Sequence, residues 1–311
     1  DSKKSLIPSA ASVFIQDGTF SDNQVVNSIP EFQDTVYKML TDTISEHQDA
    51  VLHVLTNEFS NSKPSEAFST LFLKFISSKP SNDSIIQILD NFDSILSRVD
   101  DKLVTYDFLN DQFESDPLLA SLSLPYLVNV AQSSAVDSPN FYQTAFRSIS
   151  PRSLSSPHRA KYLDTLVRVL TPKTRPASEV TCFAVKLSRM LPLIPVDAQV
   201  DVLSVLQSLV FSHECIAKLL DPIDTDPKVA KVYGNLEECS QQTLWEVRSL
   251  RDSQVPAISE EARTLGQRWV PPDFCSFNLE DAVESVKARP KGPERAGNWT
   301  ANLDQTIWNF H

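Results

Sequence analysis

The tripeptide His213-Glu214-Cys215 contains the residue types of a nucleophilic catalyst. Consecutive positions on a helix do not face one another, so these three side chains cannot form a proton relay on their own. Neither HExxH nor GxSxG occurs in the sequence, and the five histidines are far apart. The adjacent carboxylates of residues 100–101 and 260–261 are interpreted as solvated charges. We therefore predict that the protein is not an enzyme.

Cofactor and metal motifs are also missing from the sequence. The spacing of Asp221, Asp224 and Asp226 suggests calcium, but a calcium loop needs a glycine at its sixth position and a late glutamate, and neither is present. The four cysteines, at positions 182, 215, 239 and 275, form no CxxC pair and are predicted to be reduced thiols. With five glycines and neither GxxxxGK[ST] nor GxGxxG, no phosphate loop is expected, so the predicted cofactor set is empty.

Composition indicates a globular chain with an uneven charge. The 311 residues are 41% hydrophobic and carry a net charge of −12. Residues 1–140 hold 8 Lys/Arg against 20 Asp/Glu, whereas residues 147–189 hold 9 Lys/Arg against only Asp164 and Glu179. The acidic total disfavours general coating of nucleic acid, because phosphate contacts need positive surface. The local basic stretch fits three interpretations: solvated helix exteriors, an RNA contact, or an acidic protein contact.

Apolar residues recur at helical spacing along most of the chain, and prolines separate the segments. Ser156-Pro157 is a typical helix start, a second helix is predicted from about Pro176, and a third from about Val196 to His213. Breaks every 15 to 20 residues indicate helix pairs with a period near 35 to 40 residues. The predicted fold is all-α: an irregular HEAT- or armadillo-like helical-repeat solenoid with an extended C-terminal tail.

The polar tract QSSAVDSP at residues 132–139 is the predicted boundary between two halves. We expect an N-terminal helical-repeat region over 1–139, a second helical domain over 140–283, and an extended tail over 284–311. No apolar run reaches the roughly 18 residues that a membrane span needs, so no membrane contact is predicted.

Four sequence blocks resemble a known family. Phe141-Tyr142 followed by HRAKYL at 158–163, then FAVKLSRM at 183–190, are similar to blocks of the CCAAT-binding-factor domain family of ribosome assembly factors. Two Asp-Pro pairs at 221–222 and 226–227 precede TLWEV at 243–247, and FNLED follows at 277–281, as in the small-subunit branch of that family. The family's Lys-Arg pair has only its second member here, as Val185-Lys186.

This resemblance implies a noncatalytic scaffold in small ribosomal subunit biogenesis, within the small-subunit processome that matures 18S-type rRNA. The implied partners are nucleolar protein fourteen, bound through an extended segment, and other processome proteins, and the implied location is the nucleolus within the nucleus. Two alternatives stay open: a related factor for large-subunit assembly, and a general α-helical adaptor in transport or trafficking.

Two groups of side chains are the candidate site residues. Arg159, Lys161, Lys186 and Arg189 are expected on or near one face of the family-like domain, where they would contact a partner or pre-rRNA. The second group consists of apolar side chains that would anchor a partner: Leu244, Trp245, Trp299 and Trp308.

Overall fold

The computed structural model describes residues 30–44, 47–56, 65–100, 102–134, 140–220, 243–267 and 271–288. Over these residues the chain forms sixteen α-helices and no strand. They are α1 Pro30–Asp42, α2 Gln48–Thr56, α3 Glu66–Ser77, α4 Asn82–Asp90, α5 Phe92–Arg98, α6 Lys102–Glu114, α7 Pro117–Ser134, α8 Phe141–Ser148, α9 Pro151–Leu154, α10 Arg159–Leu170, α11 Ala177–Met190, α12 Val196–Ser212, α13 Glu214–Ala217, α14 Trp245–Leu250, α15 Pro256–Thr264 and α16 Leu279–Ala288. Two 3₁₀ turns, Leu191–Leu193 and Lys218–Leu220, complete the set.

Proline and serine stand at the start of several helices, as the sequence predicts. Helix α11 follows Pro176 and gives way to a 3₁₀ turn containing Pro192, because proline cannot donate the next helical hydrogen bond. Helix α4 begins after Ser81, whose hydroxyl accepts from the Ser84 N–H at 3.2 Å. The predicted start at Ser156-Pro157 is wrong by a few residues: the Ser156 hydroxyl accepts from the His158 N–H, and α10 begins only at Arg159.

Helix α7 is the central element of the N-terminal part. It packs against α4, α6, α8, α9 and α10, and residues 119–128 are all buried. A helix that is buried on every side must be apolar all round, and residues 119–128 of α7 are apolar apart from Tyr126 and two serines whose hydroxyls bond to the backbone of the helix. The aromatic rings of Phe72, Phe92 and Phe108 join α3, α5 and α6 beside it, with Tyr126 of α7 5.1 Å from Phe92.

Arg98 is a buried cation of this part that the sequence did not point to. Its side chain, 1% exposed, donates to the carbonyls of Val54 at 3.3 Å and Leu55 at 2.6 Å, near the end of α2. Its guanidinium also lies 4.4 Å from the ring centre of Phe68. The last carbonyls of a helix lack helical partners, so Arg98 satisfies groups that would otherwise be costly to bury.

Helix α12 is the central element of the C-terminal part. It packs against α10, α11, α13 and α15, while α10 also contacts α7 and so joins the two parts. Its buried residues are apolar except for Asp201, Gln207 and Ser208. Within the described part of the chain, no single helix is long and apolar enough to cross a membrane. Helix α12 and the following Glu214–Leu220 reach the length and apolar composition of a membrane span only when they are taken together, and the two segments are bent by 117° relative to each other.

The all-α fold class is therefore confirmed, and the packing is compatible with a helical repeat without establishing one. The domain division stays a prediction; helix α7 ends at Ser134, just before the proposed boundary at 139, and contacts helices on both sides of it. Residues 284–288, assigned from sequence to the extended tail, are the last turns of α16. The rest of the tail, 289–311, lies outside the described residues.

Tyr162 provides a first testable prediction. Its hydroxyl is fully buried and bonds to the Ser148 hydroxyl at 2.9 Å, and burial raises the pKa of this tyrosine well above its ordinary value, which keeps it neutral. Because Ser148 also bonds to the Ala145 carbonyl, Tyr162→Phe should lower the free energy of unfolding by only about 1 kcal/mol in urea titrations. Tyr106→Phe, on a half-buried ring, is the control and should change it less.

Candidate functional site: buried cations and an exposed tryptophan

The first of the predicted cations, Arg159, lies at the start of α10 and points into the molecule. Its side chain is 7% exposed and binds two carboxylates of α12: Nε donates to Asp201 at 2.6 Å and Nη2 to Asp197 at 2.7 Å. A third nitrogen, Nη1, donates to the Ser156 carbonyl at 3.3 Å. Burial alone would lower the pKa of Arg159, but the hydrogen bond and charge of Asp201 outweigh this and raise it. The guanidinium is therefore a permanent internal charge that joins α10 to α12.

Asp201 also holds the segment that precedes α16. Its second oxygen accepts from the Cys275 N–H at 2.9 Å. Cys275 adopts a φ of 60°, a left-handed conformation that costs energy for any residue except glycine, so the surrounding contacts must stabilise it. Partial burial raises the pKa of the Cys275 thiol, and the nearby Asp201 charge adds to that rise. One buried carboxylate thus joins α10, α12 and residues 271–278.

Lys186 of α11 is buried in the same way, at 5% exposure. Its ammonium donates a short hydrogen bond to the Phe146 carbonyl near the end of α8 and lies 4.3 Å from the centre of the Phe146 ring. A cation at a helix C-terminus satisfies the last carbonyls and the negative end of the helix dipole. Lys186 therefore joins α11 to α8 instead of facing solvent.

Arg189, one turn further along α11, forms a buried ion pair with Glu246 of α14. The two side chains are 3% and 2% exposed, and Nη1 of Arg189 donates to Oε1 of Glu246. The other carboxylate oxygen accepts from the Ser188 hydroxyl at 2.6 Å. Because both carboxylate oxygens are bonded to α11, the ion pair fixes the position of α14 relative to the rest of the domain.

The residue before Glu246 is the exposed Trp245. The Arg189 guanidinium lies 5.6 Å from its ring centre, on the inner side, and the indole remains 38% exposed. Leu193, 54% exposed, sits on the 3₁₀ turn that packs against α14. Contiguous apolar surface is usually covered in a monomer. Two exposed apolar side chains on neighbouring elements therefore make this surface a candidate binding site. We call Trp245 and Leu193 the apolar pair.

The expectation of a basic face needs correction for three of its four residues. Arg159, Lys186 and Arg189 are buried, and their charged groups are engaged within the chain. Sequence spacing placed them on helices but could not show that carboxylates and carbonyls from other helices meet them. Asp201, which follows Val200 within an apolar helix, was the available signal, since a carboxylate there needs a buried partner.

Lys161 is the exception and stays a candidate surface cation. Its side chain is 60% exposed, and the ammonium donates to Asp93 at 2.8 Å and to the Tyr126 hydroxyl at 3.2 Å. The hydrogen bond to Asp93 raises the pKa of Lys161, so it is charged at neutral pH. Its proposed contact with RNA or protein remains a prediction.

The predicted anchors divide in a similar way. Leu244 is buried at 2% and packs in the core, so it does not face a partner in this structure, whereas Trp245 is exposed. Trp299 and Trp308 lie outside the described residues, as do Cys239 and the three aspartates considered for calcium. Among the residues that the structure describes, no group of three or more His, Cys, Asp or Glu could hold a metal ion.

Comparison with known proteins identifies the class first. Residues 118–262, which include both central helices and α14, match the model of the CBF/Mak21 family. This part of the chain therefore matches the CBF/Mak21 family model, and the resemblance drawn from the sequence is confirmed. The match begins in α7, on the N-terminal side of the predicted boundary.

Within this class, the chain is similar to nucleolar complex protein 4 homologues. It is 25% identical to the Rattus norvegicus protein over 222 residues, covering 67% of this chain and 42% of that protein. The Homo sapiens protein is 23% identical over 245 residues, covering 73% and 46%. The Danio rerio protein is 23% identical over 258 residues, covering 77% and 49%. The chain thus spans less than half the length of these relatives.

Proposed function

We propose that this chain is part of a noncatalytic ribosome assembly factor of the nucleolus that acts as a scaffold for the small subunit, in the small-subunit processome. The observation that carries this is the CBF/Mak21 domain in a chain whose matched relatives are named nucleolar complex protein 4 homologues. The names of the same relatives support a location in the nucleolus, within the nucleus. We infer that its contribution is geometric: a helical surface holds another protein on the pre-ribosome.

The apolar pair is the proposed contact for that protein. Trp245 combines a large apolar ring with a polar N–H, the combination found most often at energetic centres of protein interfaces. The buried Arg189–Glu246 pair fixes α14, so the ring is held in place before any partner arrives, which reduces the entropy lost on binding. The occupant we propose is an extended segment of a partner protein, and nucleolar protein fourteen is the partner that the family resemblance implies.

The direct test is purification of the tagged protein from its source cells, with co-purifying proteins and RNA identified together. We expect nucleolar protein fourteen and the precursor of small-subunit rRNA to be recovered at moderate salt. Recovery of large-subunit precursor instead would move the protein to the related branch of assembly factors. Recovery of neither rRNA nor nucleolar proteins would contradict the proposed function.

The apolar pair can be tested separately by the double variant Leu193→Ser/Trp245→Ser. Because both side chains are exposed, the variant should fold, as judged by circular dichroism. It should bind the partner at least tenfold more weakly, since hot-spot side chains each contribute on the order of 2 kcal/mol and about 1.4 kcal/mol is a factor of ten. Leu73→Ser, on a side chain 41% exposed on α3, is the matched control and should recover as much partner as wild type. Equal loss in both variants would refute the role of the apolar pair.

A further inference from the structure

A second cluster of cations lies where α10 ends and α11 begins. Arg168 occupies the last turn of α10, Lys173 follows in the connection, and Arg175 comes just before α11. Arg168 and Lys173 are exposed, and Arg175 is partly exposed. The residues from Arg168 to Pro176 contain no acidic side chain. We call Arg168, Lys173 and Arg175 the basic patch.

Four of the other exposed cations of the described chain are paired with carboxylates, whereas those of the basic patch are not, and no three of the remaining unpaired exposed cations lie so close together in the sequence. Arg152 pairs with Asp116, Lys161 with Asp93, Lys218 with Glu214 and Arg263 with Asp252. Among the residues that the structure describes, no carboxylate lies within 4.0 Å of a charged nitrogen of the basic patch. In a protein with a net charge of −12, three neighbouring cations without an acidic partner need an explanation.

Compensation of the helix dipole explains only one of them. Cations near a helix C-terminus are stabilised by its negative end, and Arg168 lies in the last turn of α10. Lys173 and Arg175 lie beyond that end, and the effect falls off within a turn. Arg175 even precedes α11, where the positive end of the next dipole disfavours a cation. The helix dipoles therefore account for Arg168 only, although Glu179 lies in the first turn of α11 and its charge, like that of Arg175, acts on the Tyr142 hydroxyl.

Two of the three side chains are held in position. The Arg175 guanidinium lies 4.2 Å from the centre of the Tyr142 ring on α8, and Nη2 of Arg168 donates to Oδ1 of Asn129 on α7 at 2.9 Å. The connection is a tight turn in which the Arg175 N–H donates to the Pro172 carbonyl at 3.1 Å, between Pro172 and Pro176. These contacts leave part of each guanidinium available to a ligand and reduce the ordering cost of binding.

We infer that the basic patch binds the phosphate backbone of single-stranded RNA. Arginine matches the geometry of phosphate with two parallel N–H donors, and a positively charged surface that follows the backbone is a common element of single-strand binding proteins. The choice of RNA over an acidic peptide rests on the proposed function, since a factor held on the pre-ribosome is surrounded by rRNA. This surface does not include the four cations that the sequence suggested.

The test is fluorescence anisotropy of a labelled 20-nucleotide single-stranded RNA of mixed sequence, titrated with the whole chain at several salt concentrations. The triple variant Arg168→Gln/Lys173→Gln/Arg175→Gln is compared with Arg152→Gln/Lys218→Gln/Arg263→Gln, which removes the same charge from exposed, carboxylate-paired positions. Loss of three phosphate contacts should weaken binding about tenfold or more and reduce the slope of log K against log salt by about 2, at roughly 0.7 per contact. The control triple should bind like wild type.

Equal affinity of the two triple variants for RNA would overturn the inference. So would competition by a poly-glutamate peptide as effective as unlabelled RNA, because the patch would then recognise acidic protein. Arg168→Lys/Arg175→Lys should retain most of the salt dependence, since it keeps the charge. This result is independent of the purification described above. RNA binding in vitro can fail although the nucleolar partners are recovered, and RNA can bind in vitro although no nucleolar partner is recovered.

Discussion

Glu246→Ala is expected to lower the free energy of unfolding by about 3–5 kcal/mol, the range observed when one partner of a buried ion pair is removed. The substitution leaves the Arg189 guanidinium inside the domain without this carboxylate and also removes the acceptor of the Ser188 hydroxyl. Urea unfolding followed by circular dichroism would measure the change. Because the pair positions α14, the same variant should also reduce recovery of the partner that we assign to the apolar pair.

Two further variants separate the buried charge from simple loss of packing. Arg189→Met/Glu246→Leu replaces both charges with apolar side chains of similar size and should recover much of the lost stability, because no unpaired charge remains. Glu214→Ala removes a carboxylate from a surface ion pair with Lys218. The Glu214 side chain is 87% exposed and that of Lys218 73%, so the free energy of unfolding should change very little. A double variant less stable than Glu246→Ala would contradict this account.

Asp201→Asn is the second substitution for which a large effect is expected. It keeps the size of the side chain but removes the charge that faces Arg159. The guanidinium, which is 7% exposed, is left with the partly exposed Asp197 as its remaining carboxylate. We expect a loss of about 3–5 kcal/mol in unfolding free energy. Asp197→Asn is the matched control, since this carboxylate binds the same arginine but is 41% exposed, and its loss should cost far less.

The reactivity of Cys275 provides an independent measurement of the same site. In the wild type, the nearby Asp201 charge adds to the effect of burial and raises the pKa of the Cys275 thiol, so less thiolate is present at a given pH. Asp201→Asn removes that charge and loosens residues 271–278, and both changes should speed alkylation at pH 8. Peptide mapping by mass spectrometry would distinguish Cys275 from the other cysteines. An unchanged rate with lowered stability would show that Asp201 does not hold this segment.

Local rules predicted the helices better than they predicted the site. Proline positions and apolar spacing located α11 and α12 to within a residue or two, because those signals depend on near neighbours in the chain. Whether each cation is buried or exposed depends on residues that are distant in the sequence. Arg159 meets a carboxylate 42 positions away, Lys186 a carbonyl 40 positions away, and Arg189 a carboxylate 57 positions away.

Exposure was equally hard to predict for the apolar residues. Leu244 and Trp245 are adjacent, and the larger side chain is the exposed one, while Leu244, Glu246 and Val247 are buried. The basic patch was missed for a related reason. Its residues lie in the same basic stretch as Arg159 and Lys186, and only the three-dimensional contacts divide that stretch into an internal group and an external group.

The link between Asp201 and Cys275 has a consequence for synthesis of the chain. The two residues are 74 positions apart, so at 5 to 20 residues per second the ribosome needs about 4–15 s after Asp201 to add Cys275. During that interval Arg159, already made, can pair with Asp201, but the second carboxylate oxygen has no Cys275 N–H to bind. The C-terminal part of the domain is therefore completed last, and the buried Asp201 side chain gains its last hydrogen-bond partner only when Cys275 has been added.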